Sequence, residues 1–287
     1  MTRLLSLVCF LLAAPLVAQP FFPADAAWNQ SIADAPVDAQ SAAVIAWLDA
    51  AGGWGSGLMR VDFSIELMEA DATTPVLPFI PTVDHFLPDC DLDPVPVPPG
   101  GALEGEDGYE CLSDGDCHLI VHDTVNDRLY EMWRANIVGD DFFGGCLAVW
   151  DLTIPYPTWG RGIDCTSADA GGLPIAALLF SADEVAAGSI DHALRFILPN
   201  SRIREDVYVA PATHSTGATS GGPDAPPYGA RLRLRADFPL DQLPNEAART
   251  VARAMQSYGI ILTDGGTIAL TARSDRFTTT KWSGLLG

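Results

Sequence analysis

The sequence predicts a mainly β protein, a single β-sandwich or jelly-roll domain with two or three short helices. Short runs rich in branched and aromatic residues recur along the chain, and turn residues separate them. The 22 prolines and 26 glycines favour many short elements over long helices. No internal repeat or long linker divides the chain, so we expect one domain over residues 19–287.

The first 18 residues have the layout of a secretory signal peptide, with Arg3, an apolar run and small residues near Ala18. The alternative is a membrane anchor, but the apolar run is shorter than the ~20 residues that span a bilayer. We therefore expect cleavage between Ala18 and Gln19 and a protein that is secreted or periplasmic.

The chain is strongly acidic, with 16 basic and 37 acidic residues and a formal net charge of −21. Such a chain has no electrostatic attraction for nucleic acids or anionic membranes. We expect neither as a partner, and we expect the protein to be a monomer.

Five cysteines remain once the predicted signal peptide is removed. In an oxidising compartment they are expected to form two disulfides and to leave one thiol. We expect one bridge between Cys146 and Cys165, and the other between two of Cys90, Cys111 and Cys117. No CxxC or histidine spacing favours zinc.

The N-terminal third contains one predicted helix and one long loop. Residues 41–53 read as a short amphipathic helix that ends at two glycines. Residues 58–83 alternate like strands, with prolines that favour an edge position near their end. Residues 89–117 are acidic, rich in proline and contain three cysteines, which predicts a long loop.

The middle of the chain predicts the β core. Three runs separated by turn residues read as a meander, at 118–123, 128–136 and 146–153. Ser181 and Glu184 have the spacing of a capping box, which opens a short helix that Gly188 closes.

The last third predicts strands around one longer helix. Residues 243–259 carry apolar side chains at helical spacing and end at glycine, which predicts a helix. Residues 260–270 predict a hairpin that turns at Asp264-Gly265-Gly266. Further strands are expected at residues 189–196, 206–211 and 230–238.

Two sets of residues have spacings that could indicate a metal site. His118 and His122 are four apart, but a strand places them about 13 Å apart, so one ion cannot bridge them. Asp89, Asp91 and Asp93 alternate as in a calcium loop, although the glycine and glutamate of an EF-hand are absent. We expect no cofactor, with a structural calcium ion in the 89–117 loop as the alternative.

Two carboxylates in strands are the first catalytic candidates. Glu131 and Asp151 each share a strand face with apolar neighbours, which is costly for a carboxylate unless it is paired or used. Glycoside hydrolysis commonly uses two carboxyl groups on opposite sides of a groove. The alternative is a structural role at a sheet rim.

The stretch "SIDHALRF" (189–196) places Asp191 beside His192. Neighbouring strand residues point to opposite faces, so Asp191 cannot orient His192 as a catalytic dyad does. His192 is either a satisfied core residue or a site residue, and Asp191 and Arg195 are expected to find partners on other strands. His214, at the start of a Gly/Ser loop, is better placed for function.

Five stretches occur in a fixed order along the chain. They are "TSADAGGLPI" (166–175), "DEVAAGSIDHALRF" (183–196), "APATH" (210–214), "PPYGARLRLRADF" (226–238) and "YGIILTDGG" (258–266). As a set, together with "HLIVHD", "RLYEM" and the segment from Trp28 to Ile32, they resemble a group of secreted microbial proteins, mostly without an assigned activity. The 89–117 loop and the end of the chain soon after "KW" depart from that pattern.

This resemblance implies a β-sandwich related in shape to concanavalin-like carbohydrate-active proteins, and it implies no substrate. The polar residues that it carries over are His118, Glu131, Asp151, Asp169, His192 and His214.

The sequence thus favours an exported carbohydrate-active enzyme that hydrolyses the glycosidic bonds of a polysaccharide. The expected catalytic residues are Glu131, Asp151, His192 and His214. The expected substrate-binding residues are His118, Asp169, Asp191, Arg195, Trp133 and Trp150.

Two alternatives stay open. One is a non-catalytic carbohydrate-binding or surface module in which these residues are structural. The other is a polysaccharide lyase, in which Arg231, Arg233 and Arg235 on one strand face would neutralise an acidic glycan.

Overall fold

The computed structural model describes residues 21–113 and 115–286, so the predicted signal peptide lies outside the described residues. In this part of the chain no helix is long and apolar enough to cross a membrane. The α-helices are α1 (Ser41–Ala50), α2 (Ala182–Ala187), α3 (Glu246–Ser257) and α4 (Trp282–Leu285). Short 3-10 turns lie at Ala27–Asn29, Ala176–Leu178, Asn200–Arg202 and Leu240–Gln242.

Strands dominate the rest of the described chain, which confirms a mainly β protein. The first seven are β1 (Val61–Ile65), β2 (Met68–Ala70), β3 (Val76–Leu77), β4 (Ile80–Pro81), β5 (Val95–Pro96), β6 (Leu119–Asp123) and β7 (Arg128–Met132). The next seven are β8 (Asn136–Val138), β9 (Asp141–Gly144), β10 (Leu147–Asp151), β11 (Leu194–Leu198), β12 (Arg231–Leu232), β13 (Ile260–Gly265) and β14 (Leu270–Arg273).

The largest sheet has five strands in the order β1-β14-β11-β13-β12. It is mixed, because β1 with β14 and β11 with β13 are parallel, whereas the other two pairs are antiparallel. The predicted hairpin of residues 260–270 is wrong, since β11 lies between β13 and β14. Asp264 therefore ends a strand instead of turning a hairpin.

A second sheet has the order β10-β7-β6-β2. Its antiparallel pairs β6 with β7 and β7 with β10 confirm the predicted meander. Strand β2 extends it as a parallel neighbour of β6. Such parallel pairs distinguish both sheets from an antiparallel jelly roll.

The two sheets share one hydrophobic core. Ile120, Leu129 and Trp150 of the four-stranded sheet belong to the same buried cluster as Phe196 and Leu262 of the five-stranded sheet. A smaller cluster, which includes Leu119, Val121, Met132 and Leu147, lies on the other face of the four-stranded sheet. Burial of both faces explains why strands β6 and β7 carry almost continuous apolar runs.

The long acidic loop of residues 89–117 is held by two disulfides, Cys90–Cys146 and Cys111–Cys117. Cys165 is free and half-buried, so the expected Cys146–Cys165 bridge is wrong. The expected pairing joined cysteines that are near in sequence, but Cys90, which is distant in sequence, pairs with Cys146 across the end of the four-stranded sheet.

Local signals predicted α1, α2 and α3, whereas α4 was not predicted. Ser181 and Glu184 form the expected capping box, and Gly188 ends α2 in the left-handed region with φ 90°. The side chain of Asn245 caps α3 by accepting a hydrogen bond from the backbone of Ala248. The predicted strand at 206–211 is absent apart from a single bridge at Tyr208, and the one at 230–238 shortens to β12.

The N-terminal segment is fastened by two arginines of "RLRLR". Arg231 donates to the carbonyl oxygens of Ala27, Gln30 and Tyr258, and Arg233 donates to that of Ala33 at 2.5 Å. These two guanidinium groups therefore donate their hydrogen bonds to backbone carbonyl groups and not to carboxylates. Arg235 instead pairs with Asp237 on the surface, at 3.1 Å.

Candidate functional site

The charged side chains that the structure brings together form one group between the two sheets. We call it the Arg195 cluster, and its members are Glu104, His118, Asp169, Arg195 and Asp264. His118, Asp169 and Arg195 were sequence candidates, whereas Glu104 and Asp264 were not.

Arg195 is the centre of this group and is almost fully buried in β11. Its Nη2 donates to Asp169 Oδ1 at 2.7 Å and to Asp264 Oδ2 at 2.9 Å, and its Nη1 donates to Thr271 Oγ1 at 2.9 Å. Thr271 in turn pairs with Asp62 of β1, so a polar row crosses one face of the five-stranded sheet.

Asp264 reaches Arg195 because of a β-bulge in β13. Phe196 pairs with Leu262 but Ile197 pairs with Asp264, which leaves Thr263 as an extra residue. In a regular strand Asp264 would point to the face opposite Arg195, since side chains alternate. The extra residue turns it to the Arg195 side, as bulges beside functional sites often do.

Asp169 lies on a loop packed over the end of β13. Gly171 N donates to Thr263 O at 2.7 Å, and Gly171 O accepts from the backbone of Thr213 at 2.9 Å. Gly172 has φ 74°, and a Cβ there would overlap Thr213, so only glycine fits this close approach. The loop thereby presents a fully buried Asp169 to Arg195.

Glu104 and His118 form the second half of the cluster. His118 Nδ1 donates to Glu104 Oε2 at 2.6 Å, and His118 Nε2 donates to the carbonyl of Ala168 at 3.0 Å. Both ring nitrogens thus have acceptors, which favours the doubly protonated ring. This second bond also ties β6 to the loop that carries Asp169.

The Glu104 and His118 pair is ionised over the neutral range. Burial alone would raise the pKa of Glu104, but the charge and hydrogen bond of His118 outweigh it and lower that pKa to about 2. Burial alone would lower the pKa of His118, but Glu104 raises it to about 9. Glu104 is therefore a carboxylate at neutral pH.

Asp264 is in the opposite state. Burial, together with the negative charge of Asp169, raises the pKa of Asp264 to about 8, although Arg195 opposes the shift. Burial also raises the pKa of Asp169, against the charge of Arg195. The two carboxyl groups titrate as a coupled pair, which holds one proton at neutral pH.

Some buried polar atoms of this cluster and its neighbours have no hydrogen-bond partner. Within the described residues these atoms include Asp169 Oδ2, Arg195 Nε, Thr263 Oγ1 and Tyr228 Oη. Unsatisfied buried groups are few in native proteins and commonly mark functional sites. The cluster is therefore the strongest candidate for a site in the described chain.

His214 lies at the edge of the cluster and is half-buried. Its backbone N–H bonds to Gly171 O at 3.3 Å, and its Nδ1 donates to Ala170 O at 2.8 Å. That bond leaves Nε2 as the ring nitrogen that can accept a hydrogen bond from a ligand.

The predicted pair of Glu131 and Asp151 does not meet. Glu131 pairs with Ala148 across β7 and β10, whereas Asp151 is three residues farther along β10, so the two point to opposite faces. They cannot flank one glycosidic bond, and the expectation that they form a catalytic pair is wrong.

Glu131 is instead a fully buried structural acceptor. It takes hydrogen bonds from the backbone of Ile175 at 3.0 Å and of Ala176 at 2.7 Å, and from Trp150 Nε1 at 3.0 Å. Burial raises the pKa of Glu131 to about 7, although these donors oppose the shift. Trp150 is 1% exposed and so cannot stack on a sugar.

Asp151 caps a turn at the rim. Its Oδ1 accepts from Thr153 N at 2.9 Å and from Thr153 Oγ1 at 2.6 Å, and these bonds lower its pKa. It lines a 220 Å³ cavity together with Asp91, Asp93 and Arg128. This cavity is on the opposite side of the sheet from Glu131.

His192 and Asp191 lie outside the Arg195 cluster. His192 is buried and donates to Glu184 Oε1 at 3.1 Å and to Ala193 O at 2.8 Å. Glu184 also accepts from Ser181 in the capping box, so this histidine joins β11 to α2. Asp191 is exposed, and it precedes the strand, which begins only at Leu194.

Two of the three acidic residues predicted as a calcium alternative have protein partners, and the third, Asp93, is exposed. Asp89 accepts from Thr166 N at 3.0 Å, and Asp91 accepts from Val149 N at 2.8 Å and Arg161 at 2.6 Å. Among the described residues, the one group with metal-ligand spacing is Glu106 with Cys111 and Cys117, whose sulfurs form a disulfide.

Trp133 is the remaining sequence candidate. Its indole is partly buried, donates to Asp116 at 2.9 Å and packs under the guanidinium of Arg134. Arg134 lines a cavity of 570 Å³ with Asp84, Asn136 and Phe143. None of the carboxylates of the Arg195 cluster lines this cavity.

Comparisons with known proteins return no match: no family model, curated protein or solved structure is significantly similar to this chain. The function is therefore inferred from the geometry of the Arg195 cluster.

Proposed function

We propose that the protein is an exported carbohydrate-active enzyme that hydrolyses glycosidic bonds of a polysaccharide, with Asp264 as the general acid and Glu104 as the ionised carboxylate. One observation carries this proposal. Two carboxyl groups of one cluster reach the surface in opposite protonation states, with side chains 19% and 18% exposed. Neighbouring carboxyl groups whose pKa values are driven apart are the mark of an acid and its ionised partner.

Each group has a defined part in the reaction. Asp264 donates its proton to the leaving-group oxygen as the bond to the anomeric carbon breaks. Glu104, held ionised by His118, faces the positive charge that develops on that carbon. Water then supplies hydroxide to the anomeric carbon, and its remaining proton returns to Asp264.

Neighbouring groups serve binding and position. Arg195 orients Asp264 through its 2.9 Å bond, and His214 offers Nε2 to a sugar hydroxyl. Counted together, the charges of the cluster nearly cancel, which suits a neutral glycan better than a uronate. Of the three arginines that favoured a lyase, two bond backbone carbonyl groups and Arg235 pairs with Asp237, so we rank a lyase below a hydrolase.

The test is the hydrolysis of a polysaccharide panel, followed by new reducing ends. Glu104→Gln and Asp264→Asn should each reduce turnover by at least 100-fold at unchanged folding. Glu246→Gln and Asp237→Asn, on the exposed surface, are the matched controls and should retain turnover. Full activity of both site variants would refute the assignment.

The second candidate function is a non-catalytic glycan-binding module, which the burial of Asp169 and Arg195 favours. It predicts that wild-type protein is retained on a polysaccharide matrix and releases no reducing ends. Retention with no product from any member of the panel would replace the hydrolase proposal with this one.

We also propose that the two sheets form a single β-sandwich, because they share one core, although their parallel pairs do not fit the antiparallel concanavalin-like type that the resemblance implies. The two disulfides fit an oxidising compartment, and with the resemblance to secreted microbial proteins they support export. N-terminal sequencing of the exported monomer should begin at Gln19, and an intact Met1 would contradict this.

A further inference from the structure

We propose that Asp169 is a positioning residue, whose buried carboxylate keeps a proton on Asp264 by facing it across the same nitrogen of Arg195. The inference rests on the proposed role of Asp264 and adds the residue that regulates its protonation. Asp169 itself is fully buried and does not touch substrate.

The geometry forces two carboxyl groups onto one cation. Asp169 Oδ1 and Asp264 Oδ2 both accept from Arg195 Nη2, at 2.7 and 2.9 Å. One guanidinium carries one positive charge, so two carboxylates at this nitrogen would leave a net negative charge in the core. Retaining one proton removes that charge, as in carboxyl dyads that share a site.

The proton that Asp264 carries can be donated in a hydrogen bond to Asp169. Asp169 Oδ2 is buried and has no hydrogen-bond partner in the described part of the chain. The two oxygens of Asp264 already accept from Arg195 and from the backbone of Gly265. A hydrogen bond from protonated Asp264 favours the ionised form of Asp169, which assigns the proton to Asp264.

Other charged groups face the pair from every neighbouring element. Arg195 comes from β11, His118 immediately precedes β6, Tyr228 lies in the segment before β12, and Glu104 lies on the loop before β6. His118 and Arg195 favour the ionised form of Asp264, so burial and the negative charge of Asp169 together keep the proton on Asp264 against them.

Asp264 is accessible and Asp169 is not, so only Asp264 can exchange a proton with the substrate or with water. When the Asp264 hydroxyl turns from Asp169 to the leaving oxygen and gives up its proton, both carboxyl groups are negative beside Arg195. That state favours return of a proton from the attacking water to Asp264. The number of protons held by the pair is therefore one before and one after each turnover.

The experiment titrates the aspartates without substrate. Wild-type protein labelled with ¹³C at Asp Cγ is followed by NMR between pH 5 and 10, and the Asp264 signal is identified by its loss in Asp264→Asn. We expect a midpoint near 8, and in Asp169→Asn a midpoint lower by about 2 pH units, a 100-fold loss of proton affinity. Asp62→Asn, on the same sheet face but without contact to Arg195, is the matched control and should shift it by less than half a pH unit.

A wild-type midpoint in the ordinary range of aspartate, or one that Asp169→Asn leaves unchanged, would overturn the proposal. If Asp169→Asn does not fold, the wild-type signal of Asp169 decides. It should keep the chemical shift of a carboxylate from pH 5 to 10 and respond only weakly near pH 8, whereas a full protonation step of Asp169 near pH 8 would count against us. These titrations need no activity, so a raised midpoint with a fully active Asp264→Asn would refute the hydrolase mechanism alone.

Discussion

Glu104 and His118 form a buried ion pair, with 2.6 Å between Oε2 and Nδ1. Because the folded pKa of His118 is about 9 instead of 6.5, its contribution to stability is complete below pH 6.5 and is lost as the pH rises through 9. Because the folded pKa of Glu104 is about 2 instead of 4.5, its contribution is complete above pH 4.5 and is lost as the pH falls through 2.

The first prediction follows from that window. His118→Gln should lower the free energy of unfolding most between pH 4.5 and 6.5, and the difference from wild type should shrink by about 3 kcal/mol by pH 9. Urea unfolding at pH 5.5, 7.5 and 9 measures it. A difference that does not depend on pH would show that the pair is not ionised.

Glu131→Gln should destabilise the protein by about 1–3 kcal/mol, because the amide nitrogen would face a backbone N–H that now donates to a carboxylate oxygen. Urea unfolding at pH 8, where Glu131 is ionised, measures the loss. The control is Glu205→Gln on the surface. Equal stability of the two variants would mean that Glu131 does not hold the Ile175–Ala176 backbone.

His192→Ala should cost about 3–5 kcal/mol, since it leaves Glu184 buried without its charged partner. Asp191→Asn, at the neighbouring exposed position, should change the free energy of unfolding by less than about 0.5 kcal/mol. Thermal unfolding of the two variants tests this contrast. Similar losses of stability in both variants would show that Asp191 has a role that its exposure does not explain.

Removal of the Cys90–Cys146 bridge should cost about 4 kcal/mol and removal of Cys111–Cys117 about 2 kcal/mol, because the former closes a much longer loop. Cys165→Ser should be nearly neutral. Paired serine variants and denaturant unfolding measure these losses, and peptide mapping without reduction checks the pairing. A linked Cys146–Cys165 peptide would contradict the structure.

Local sequence signals predicted a large part of the fold. The meander of β6, β7 and β10 follows from short branched runs with turns between them, and α2 and α3 follow from their caps. The 260–270 hairpin failed because "DGG" is also compatible with a strand that ends and crosses over. Nothing local indicates that β11 inserts between β13 and β14.

The site was less predictable from sequence. His118, Asp169 and Arg195 were noticed as polar residues in apolar or recurrent stretches, and the fold brings them together. Glu104 was missed because it lies in an acidic loop where nothing distinguishes one carboxylate from another. Asp264 was missed because its orientation depends on pairing with β11. Glu131 was misassigned because its three hydrogen-bond donors come from residues more than 15 positions away in the sequence.

The extra residue in β13 makes the pairing of that strand as important as its composition. The bulge places Asp264 opposite Ile197, on the Arg195 side, whereas regular pairing of the same strand would place Thr263 there and turn Asp264 to the other face. Deletion of Thr263 would still leave Asp264 opposite Ile197. Exchange or loss of the extra residue should therefore keep the acid in place, whereas loss of the bulge with both residues retained should remove it.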